Sequence, residues 1–259
     1  MQWMYLKARG IKMKTIISGF GLMGKKIYSA LKENENFEVM GVVSYEFDQE
    51  IQEPMYHNFR ECHESAEMII DFSHPNNLED ILEYAMKYQT KLVLATTGYS
   101  VEQLHKIEEA SKIVPIFQSY NTSLGVQMVT KILRAVAKEF YENNFDIEIV
   151  EKHHNKKIDA PSGTAKLLYE VIDEEIENLQ PVYDRSAVSK RRERNEVGIQ
   201  SLRGGTIFGE HEIMFAGNDE IVEVKHTALS KEVFVLGAIH AAQLLKNKEK
   251  GLYTLKTLY

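Results

Sequence analysis

The chain has 259 residues, 44% hydrophobic and 27% charged, an ordinary globular composition and enough length for one large domain or two smaller ones. A formal net charge of −7, with 31 basic against 38 acidic residues, argues against wholesale binding of a nucleic-acid backbone. The single cysteine, Cys62, excludes an internal disulfide and fits a reducing cytoplasm, and no window approaches the roughly 18 apolar residues of a membrane span. Residues 1–12, MQWMYLKARGIK, read as an extension without the apolar stretch and cleavage site of a signal segment.

From Met13 onward the first half alternates strand and helix. Lys14 to Ser18 is a short apolar run, followed by a glycine-rich turn and a helix with Met23, Ile27, Ala30 and Leu31 on one face. Strands are expected at Phe37–Val43, Met68–Phe72, Lys91–Ala95 and Val114–Phe117, with a helix opening near His74-Pro75 and another capped by Ser100 and Gln103. This alternation predicts a Rossmann-like, doubly wound parallel sheet over 13–122. The second half differs. A long helix (124–141), a strand (145–151) and a helix (162–179) precede three strands at 197–203, 207–216 and 220–226. They are predicted to form an α+β domain with an open mixed sheet over 123–230. A last helix at 231–245 lies in the 231–259 segment, which is expected to complete the first domain.

Gly19-Phe20-Gly21-Leu22-Met23-Gly24 is G-x-G-x-x-G between a strand and a helix. In that context the first glycine permits the tight turn, the second lets a pyrophosphate approach the backbone, and the third allows close helix–strand packing. The helix N-terminus then attracts the phosphates. About twenty residues on, the second strand ends in Ser44-Tyr45-Glu46. Glu46 is a candidate for the ribose hydroxyls, and no arginine follows to meet a 2′-phosphate, so the expected cofactor is NADH or NADPH, leaning to NADH.

Residues 151–165 read EKHHNKKIDAPSGTA. Adjacent histidines on a strand point to opposite faces, so His153 and His154 share a site only if the strand ends before them. No cysteine pair or carboxylate cluster completes a metal shell, and no nucleophile elbow surrounds Ser162. Anion capture with proton transfer fits better. Asp159 or Ser162 caps the following helix, Pro161 suits its first turn, and Gly163 admits a ligand close to the backbone. The Gly163 and Thr164 amides, with the Ser162 and Thr164 hydroxyls, make a carboxylate or phosphate cradle. Lys156 and Lys157 add positive charge, and a histidine supplies a proton at neutral pH.

This segment resembles the signature of the 4-hydroxy-tetrahydrodipicolinate reductase (dihydrodipicolinate reductase) family, E-x-H-H-x-x-K-x-D-A-P-S-G-T-A. GFGLMG, DFSHP at 71–75, ATTGYS at 95–100, YNTSLGV at 120–126 and LRGGTIFGEHEIMFAG at 202–217 agree in the same order. The resemblance implies an NAD(P)H-dependent reduction in diaminopimelate and lysine biosynthesis, acting on a cyclic imine with two carboxylates. It implies His153 as proton donor, Lys157 as its catalytic partner, and His154, Gly163, Thr164 and Thr97 as substrate contacts. The nicotinamide would lie near Ala95-Thr96-Thr97 and Ser119-Tyr120-Asn121-Thr122. A cytoplasmic homotetramer built through the open sheet is implied too, with substrate held between the domains. Three positions depart from the family pattern: the glycine turn is one residue shorter and lacks an internal basic residue, Tyr45 takes the acidic position with Glu46 one place later, and His74 stands where arginine is common.

Two other readings compete: a non-catalytic dinucleotide-binding sensor, and another amino-acid-pathway dehydrogenase on the same plan. The basic run Arg185–Arg194 reads first as a solvated loop and second as an electrostatic aid to anionic ligands. His211-Glu212 lacks a zincin partner and reads as structural.

Overall fold

A computed structural model of the chain describes residues 12–46, 51–186 and 189–258; all of the N-terminal extension but Lys12 lies outside the described residues. From Met13, β1 (Met13–Ser18), α1 (Leu22–Glu33), β2 (Phe37–Val43), β3 (Met55–Tyr56), β4 (Met68–Asp71), α2 (Leu78–Tyr88), β5 (Lys91–Leu94), α3 (Val101–Ser111) and β6 (Pro115–Gln118) follow in turn. Next come α4 (Leu124–Glu142), β7 (Asp146–His153), α5 (Gly163–Asp173), β8 (Gln180–Val182), β9 (Glu196–Arg203), β10 (Gly209–Ala216) and β11 (Ile221–Ala228). The chain ends with α6 (Glu232–Leu245), β12 (Gly251–Tyr253) and α7 (Leu255–Leu258). Two compact units result: one runs to Thr122 and resumes at Phe234, the other spans Ser123–Val233.

The first unit is a seven-stranded sheet in the order β12-β6-β5-β4-β1-β2-β3, with every pair parallel. Parallel strands need crossover helices, and those helices cover both faces. Hence neighbouring residues in the central strands are buried on both sides yet belong to opposite layers. Ile17, Met68, Ile70, Val93 and Phe117 pack with Ile27 and Leu31 of α1 and Ala238, Ala241 and Leu245 of α6. Ile16, Ile69, Leu92, Leu94 and Ile116 pack with Ile81 and Ala85 of α2 and Ile107 of α3. The direction of winding reverses between β1 and β4, the place where such sheets open a crevice beyond their strand ends.

The second unit is a five-stranded mixed sheet, β11-β10-β7-β9-β8. β10 runs antiparallel to β7 and β11, while β7, β9 and β8 are parallel. Ile147, Ile149, Ile199, Ile213 and Phe215 pack beneath Leu133 of α4 and Leu168 and Ile172 of α5. The alternate positions Glu148, Val150, Lys152, Glu212 and Met214 lie on the other face and are only partly covered.

Several local expectations shift. β7 continues through His153, so the strand ends between the two histidines and not before them; His154 already lies outside it, and strand alternation no longer sends the two rings to opposite faces. α5 stops at Asp173, six residues short of Leu179; Ile176 and Leu179 remain buried in the core, which sustained an apolar period beyond the helix itself. Pro161 precedes the Ser162 cap and is outside the first turn. The strands β3, β8 and β12 hold two or three residues each, too few for a readable alternation.

Among the described residues of the basic loop, Lys190, Arg191 and Arg194 are exposed as read, but Arg185 and Arg192 fold back onto the sheet. Arg185 pairs with Glu196 at 2.7 Å, and Arg192 reaches Asp146 at 2.6 Å and Glu148 at 3.0 Å. Arg194 donates to Asn144 Oδ1 and the Tyr141 carbonyl, both at 2.5 Å. Gly198, opposite Glu148 in the β7–β9 register, makes room for this: a Cβ there would stand 1.8 Å from the Glu148 carboxylate.

Two glycines of the first turn are fixed by space. Gly19 has φ +85°, and a Cβ on Gly24 would lie 2.0 Å from the Gly19 carbonyl oxygen. Backbone against backbone has no flexible end to yield, so Gly24→Ala must push α1 off the turn. The cost expected of such overpacking is about 1–3 kcal/mol, to be read as a lowered midpoint in thermal or urea denaturation together with weakened dinucleotide binding.

Candidate active site

Parallel strands end side by side around the glycine turn. The Gly19 N–H donates to the Val43 carbonyl, Phe72 N–H to Ser18, Ala95 N–H to Asp71, and Ser119 N–H to Leu94. These bonds knit the ends of β1, β2, β4, β5 and β6 into one edge. Gly21 caps α1 without any side-chain hydrogen bond, and no acidic residue occupies the first turn. A Cβ on Gly21 would meet nothing within 4 Å, unlike those on Gly19 and Gly24. A helix end with amide donors, no competing carboxylate and open room at the middle glycine fits a pyrophosphate.

Around it, Phe20 is buried against Tyr28, Leu22 is exposed and Met23 half-buried. Tyr45 is exposed and its hydroxyl donates to Asn77 Oδ1 at 2.7 Å; Glu46 is exposed just beyond β2. Ala95 and Thr96 are buried and Thr97 exposed past β5, while past β6 Ser119, Asn121 and Thr122 are buried and Tyr120 exposed. The Ser119 hydroxyl donates to the Asn121 carbonyl at 2.6 Å, and the Thr122 hydroxyl to the Phe234 carbonyl at 2.6 Å. Asp71, fully buried at the end of β4, accepts from the Ser73 hydroxyl at 2.6 Å and the Tyr99 hydroxyl at 3.3 Å. Burial pushes its pKa up despite those donors. It joins the 71–77 and 95–100 loops beneath the edge.

In the second unit the alternation Ile147, Ile149, Glu151, His153 keeps one face buried to the end of β7. His153 Nδ1 lies 2.5 Å from Glu151 Oε2. Arg203 of β9 grips both oxygens of Glu151, at 2.8 and 2.7 Å, and the Ser162 N–H donates to Oε1 at 3.0 Å. Burial pushes the Glu151 pKa up, but the hydrogen bonds from His153, Arg203, Ser201 and the Ser162 amide outweigh it and hold the carboxyl well below the usual range. Ser162, 2% exposed, accepts from the Ala165 N–H at 3.1 Å as the cap of α5 and bonds His211 Nε2 at 2.9 Å. The His211 ring stands edge-on to His153, centroids 5.1 Å apart. Burial, then the neighbouring His153, pushes the His211 pKa down to about 3, so this ring stays neutral.

The sequence-predicted residues thus separate into groups. His153 and Ser162 meet through Glu151. Ser162, expected to offer its hydroxyl to a ligand, commits it to the helix cap and to His211. Gly163 opens α5 exposed, with nothing within 4 Å of where a Cβ would stand, and Thr164 follows half-buried. Lys157 pairs with Asp159 at 2.8 Å and not with His153. His154 is half-buried in a turn where its carbonyl accepts the Lys157 N–H. Glu151, Arg203 and His211 were not anticipated as site residues. The signal for Glu151 was present: its two-residue spacing from Ile149 and His153 puts it on the buried face.

Such a chain, with an open phosphate-binding turn on a parallel sheet in one unit and a carboxylate-braced imidazole in the other, is built as an oxidoreductase of the Rossmann type. Family models described as dihydrodipicolinate reductase, N-terminus, and dihydrodipicolinate reductase, C-terminus, match residues 13–122 and 125–258, and the chain belongs to this family. Among its relatives is a 4-hydroxy-tetrahydrodipicolinate reductase of Exiguobacterium sibiricum, 49% identical over 95% of this chain and 96% of the relative. Another, from Clostridium novyi, is 46% identical over 93% and 96%. Among solved structures, dipicolinate-bound dihydrodipicolinate reductase from Paenisporosarcina sp. TG-14 shares the fold with a TM-score of 0.79 at 20% identity, covering 94% of this chain and 98% of that one.

The buried neutral His211 makes a pH prediction. Its folded pKa lies below its unfolded value, so its contribution to stability is complete above about pH 6.5 and is lost as the pH falls toward about 3. The expected slope from this residue is about 1.4 kcal/mol per pH unit inside that window. Urea denaturation of the parent and of His211→Gln between pH 7 and pH 4 measures it, and the variant should show the shallower decline.

Proposed function

We propose that the protein reduces 4-hydroxy-tetrahydrodipicolinate to tetrahydrodipicolinate, a step of diaminopimelate and lysine biosynthesis, with a nicotinamide dinucleotide as reductant. The reaction takes up one hydride and one proton and releases water. The observation that carries this reading is the braced imidazole of His153 at the same helix mouth, Gly163-Thr164, that the family signature marks. When bound, the nicotinamide supplies the hydride. Gly19 to Gly24 hold its pyrophosphate, with Tyr45 and Glu46 at the ribose and Ala95 to Thr97 and Ser119 to Thr122 around the nicotinamide.

The residues of the second unit do the rest. The first turn of α5 at Gly163 and Thr164 binds one substrate carboxylate, aided by the helix-end dipole. His154 contributes a further polar contact. The ammonium group of Lys157 neutralises charge on the dicarboxylate, and exchanges Asp159 for it when substrate arrives. His153 delivers the proton from Nε2, since Nδ1 is taken up by Glu151. Orientation and charge stabilisation by preset groups carry much of the acceleration. NADH is the favoured cofactor, because an exposed Glu46 follows β2 and repels a 2′-phosphate. A homotetramer forms through the partly covered sheet face bearing Val150 and Met214, in the cytoplasm.

His153→Gln and Lys157→Ala should each lower turnover by roughly 10²-fold or more while dinucleotide affinity stays within about twofold. Loss of nicotinamide absorbance with freshly generated substrate measures the first, and calorimetric titration the second. Parent-level turnover in both variants would overturn the assigned roles. The same titration should give NADH a Kd no weaker than that of NADPH.

A further inference from the structure

We infer that Glu151 is a positioning residue for the reaction: its carboxylate fixes the Nδ1–H tautomer of His153 and ties that ring to the first turn of α5. The inference rests on the reading of His153 as proton donor. Its basis is how the carboxylate is held. Glu151 is wholly buried, and both oxygens are saturated by donors. Oε2 takes His153 Nδ1 at 2.5 Å and Arg203 Nη1 at 2.8 Å; Oε1 takes Arg203 Nη2 at 2.7 Å and the Ser162 N–H at 3.0 Å. An ionised carboxylate is an acceptor only, so the imidazole must present a proton at Nδ1, and the proton it exchanges must sit on Nε2.

Arg203 is itself anchored, donating to the carbonyls of Asp159 and Leu202 at 2.7 Å each. The carboxylate is therefore clamped before the ring is considered, and the ring is held on its other sides too. His211 packs against it at 5.1 Å, and a Cβ on Gly209 would lie 3.0 Å from Nε2, so a side chain there would crowd the ring where it stands. The Ser162 amide bond matters as much. The group that orients the proton donor also places the cap of the helix whose next residues, Gly163 and Thr164, form the anion-binding turn. One carboxylate thereby sets the spacing between the proton source and the bound acid.

Glutamine at 151 cannot reproduce this. With its NH2 toward Ser162 and Arg203 it opposes two donors. With its NH2 toward His153 it opposes only one, Arg203 Nη1, so this is the orientation it takes; it then donates to Nδ1 and drives the ring to the other tautomer.

The test compares Glu151→Gln, His153→Gln and the double variant in the full-length protein. Three readouts are needed: turnover at saturating substrate, dinucleotide affinity, and the 15N–1H spectrum of the labelled histidine rings. Glu151→Gln is expected to lose roughly 10²-fold in kcat, with dinucleotide affinity unchanged and the neutral His153 ring moved from Nδ1–H to Nε2–H. Added to His153→Gln, it should cost no further kcat at saturating substrate, because a residue acting through another is silent once that other is gone, while its Ser162 link to the α5 turn shows only in the KM for substrate. Parent-level kcat in Glu151→Gln, an unchanged ring tautomer, or losses that multiply in the double variant would each overturn the inference and leave a structural ion pair. If His153→Gln alone keeps parent turnover, the proton-donor reading has failed instead, and the ring spectrum still decides whether Glu151 sets the tautomer. Should Glu151→Gln fail to fold, Glu151→Asp keeps a charge for Arg203 while withdrawing it from the ring by one methylene; parent-level kcat there would overturn the inference equally.

Discussion

A carboxylate with no solvent exposure costs several kcal/mol if left alone, and Glu151 survives in the second unit because Arg203 reaches both its oxygens. That contact follows from strand register. β7 and β9 run parallel with Glu151 opposite Ser201 and His153 opposite Arg203, so the guanidinium needs only to lean back along its strand. From the pair follow the orientation of the His153 ring, the placement of the Ser162 amide and the start of α5. Remove Arg203 and an uncompensated charge remains in the interior; remove Glu151 and the cation, the ring and the helix cap all lose their common acceptor.

The first unit obeys a different constraint. Its strands are all parallel, so their carbonyl-terminal ends gather on one edge, and the loops leaving them must pack tightly to let backbone amides face a ligand. Gly19 and Gly24 supply that closeness, and Asp71 supplies the anchor beneath, bonding Ser73 from one loop and Tyr99 from the next. Buried polarity in this unit holds loops in place, while in the second unit it holds an imidazole ring.

How much of this was legible in the sequence varies by element. β1, β2, β4, β5 and β6 were readable because each is a run of apolar residues bounded by turn residues, and the capping box of α3 was spelled out by Ser100 and Gln103. β12 was not, since Gly251 to Tyr253 pairs with β6 only because the sheet already exists to receive it. α5 was overextended because burial of Ile176 and Leu179 outlasts the helix. Within the site, His153, Ser162 and Gly163 carried obvious chemical types in a dense motif. Arg203 and His211 did not: they are distant in sequence, and only the pairing of β9 and β10 with β7 brings them to Glu151. The inward pairing of Arg185 and Arg192 was hidden for the same reason, since Glu148 lies some forty residues upstream on β7.

That loop has a consequence of its own. Arg185 and Arg192 lie across Glu148, which Gly198 leaves room for, so their charge is consumed at home and little of it projects outward. What the tract leaves to a diffusing anion is the exposed charge of Lys190, Arg191 and Arg194. What added salt also reaches is the buckle itself: as the screening length shortens, the strap formed by these arginines loosens from β7 and β9, the strands it fastens.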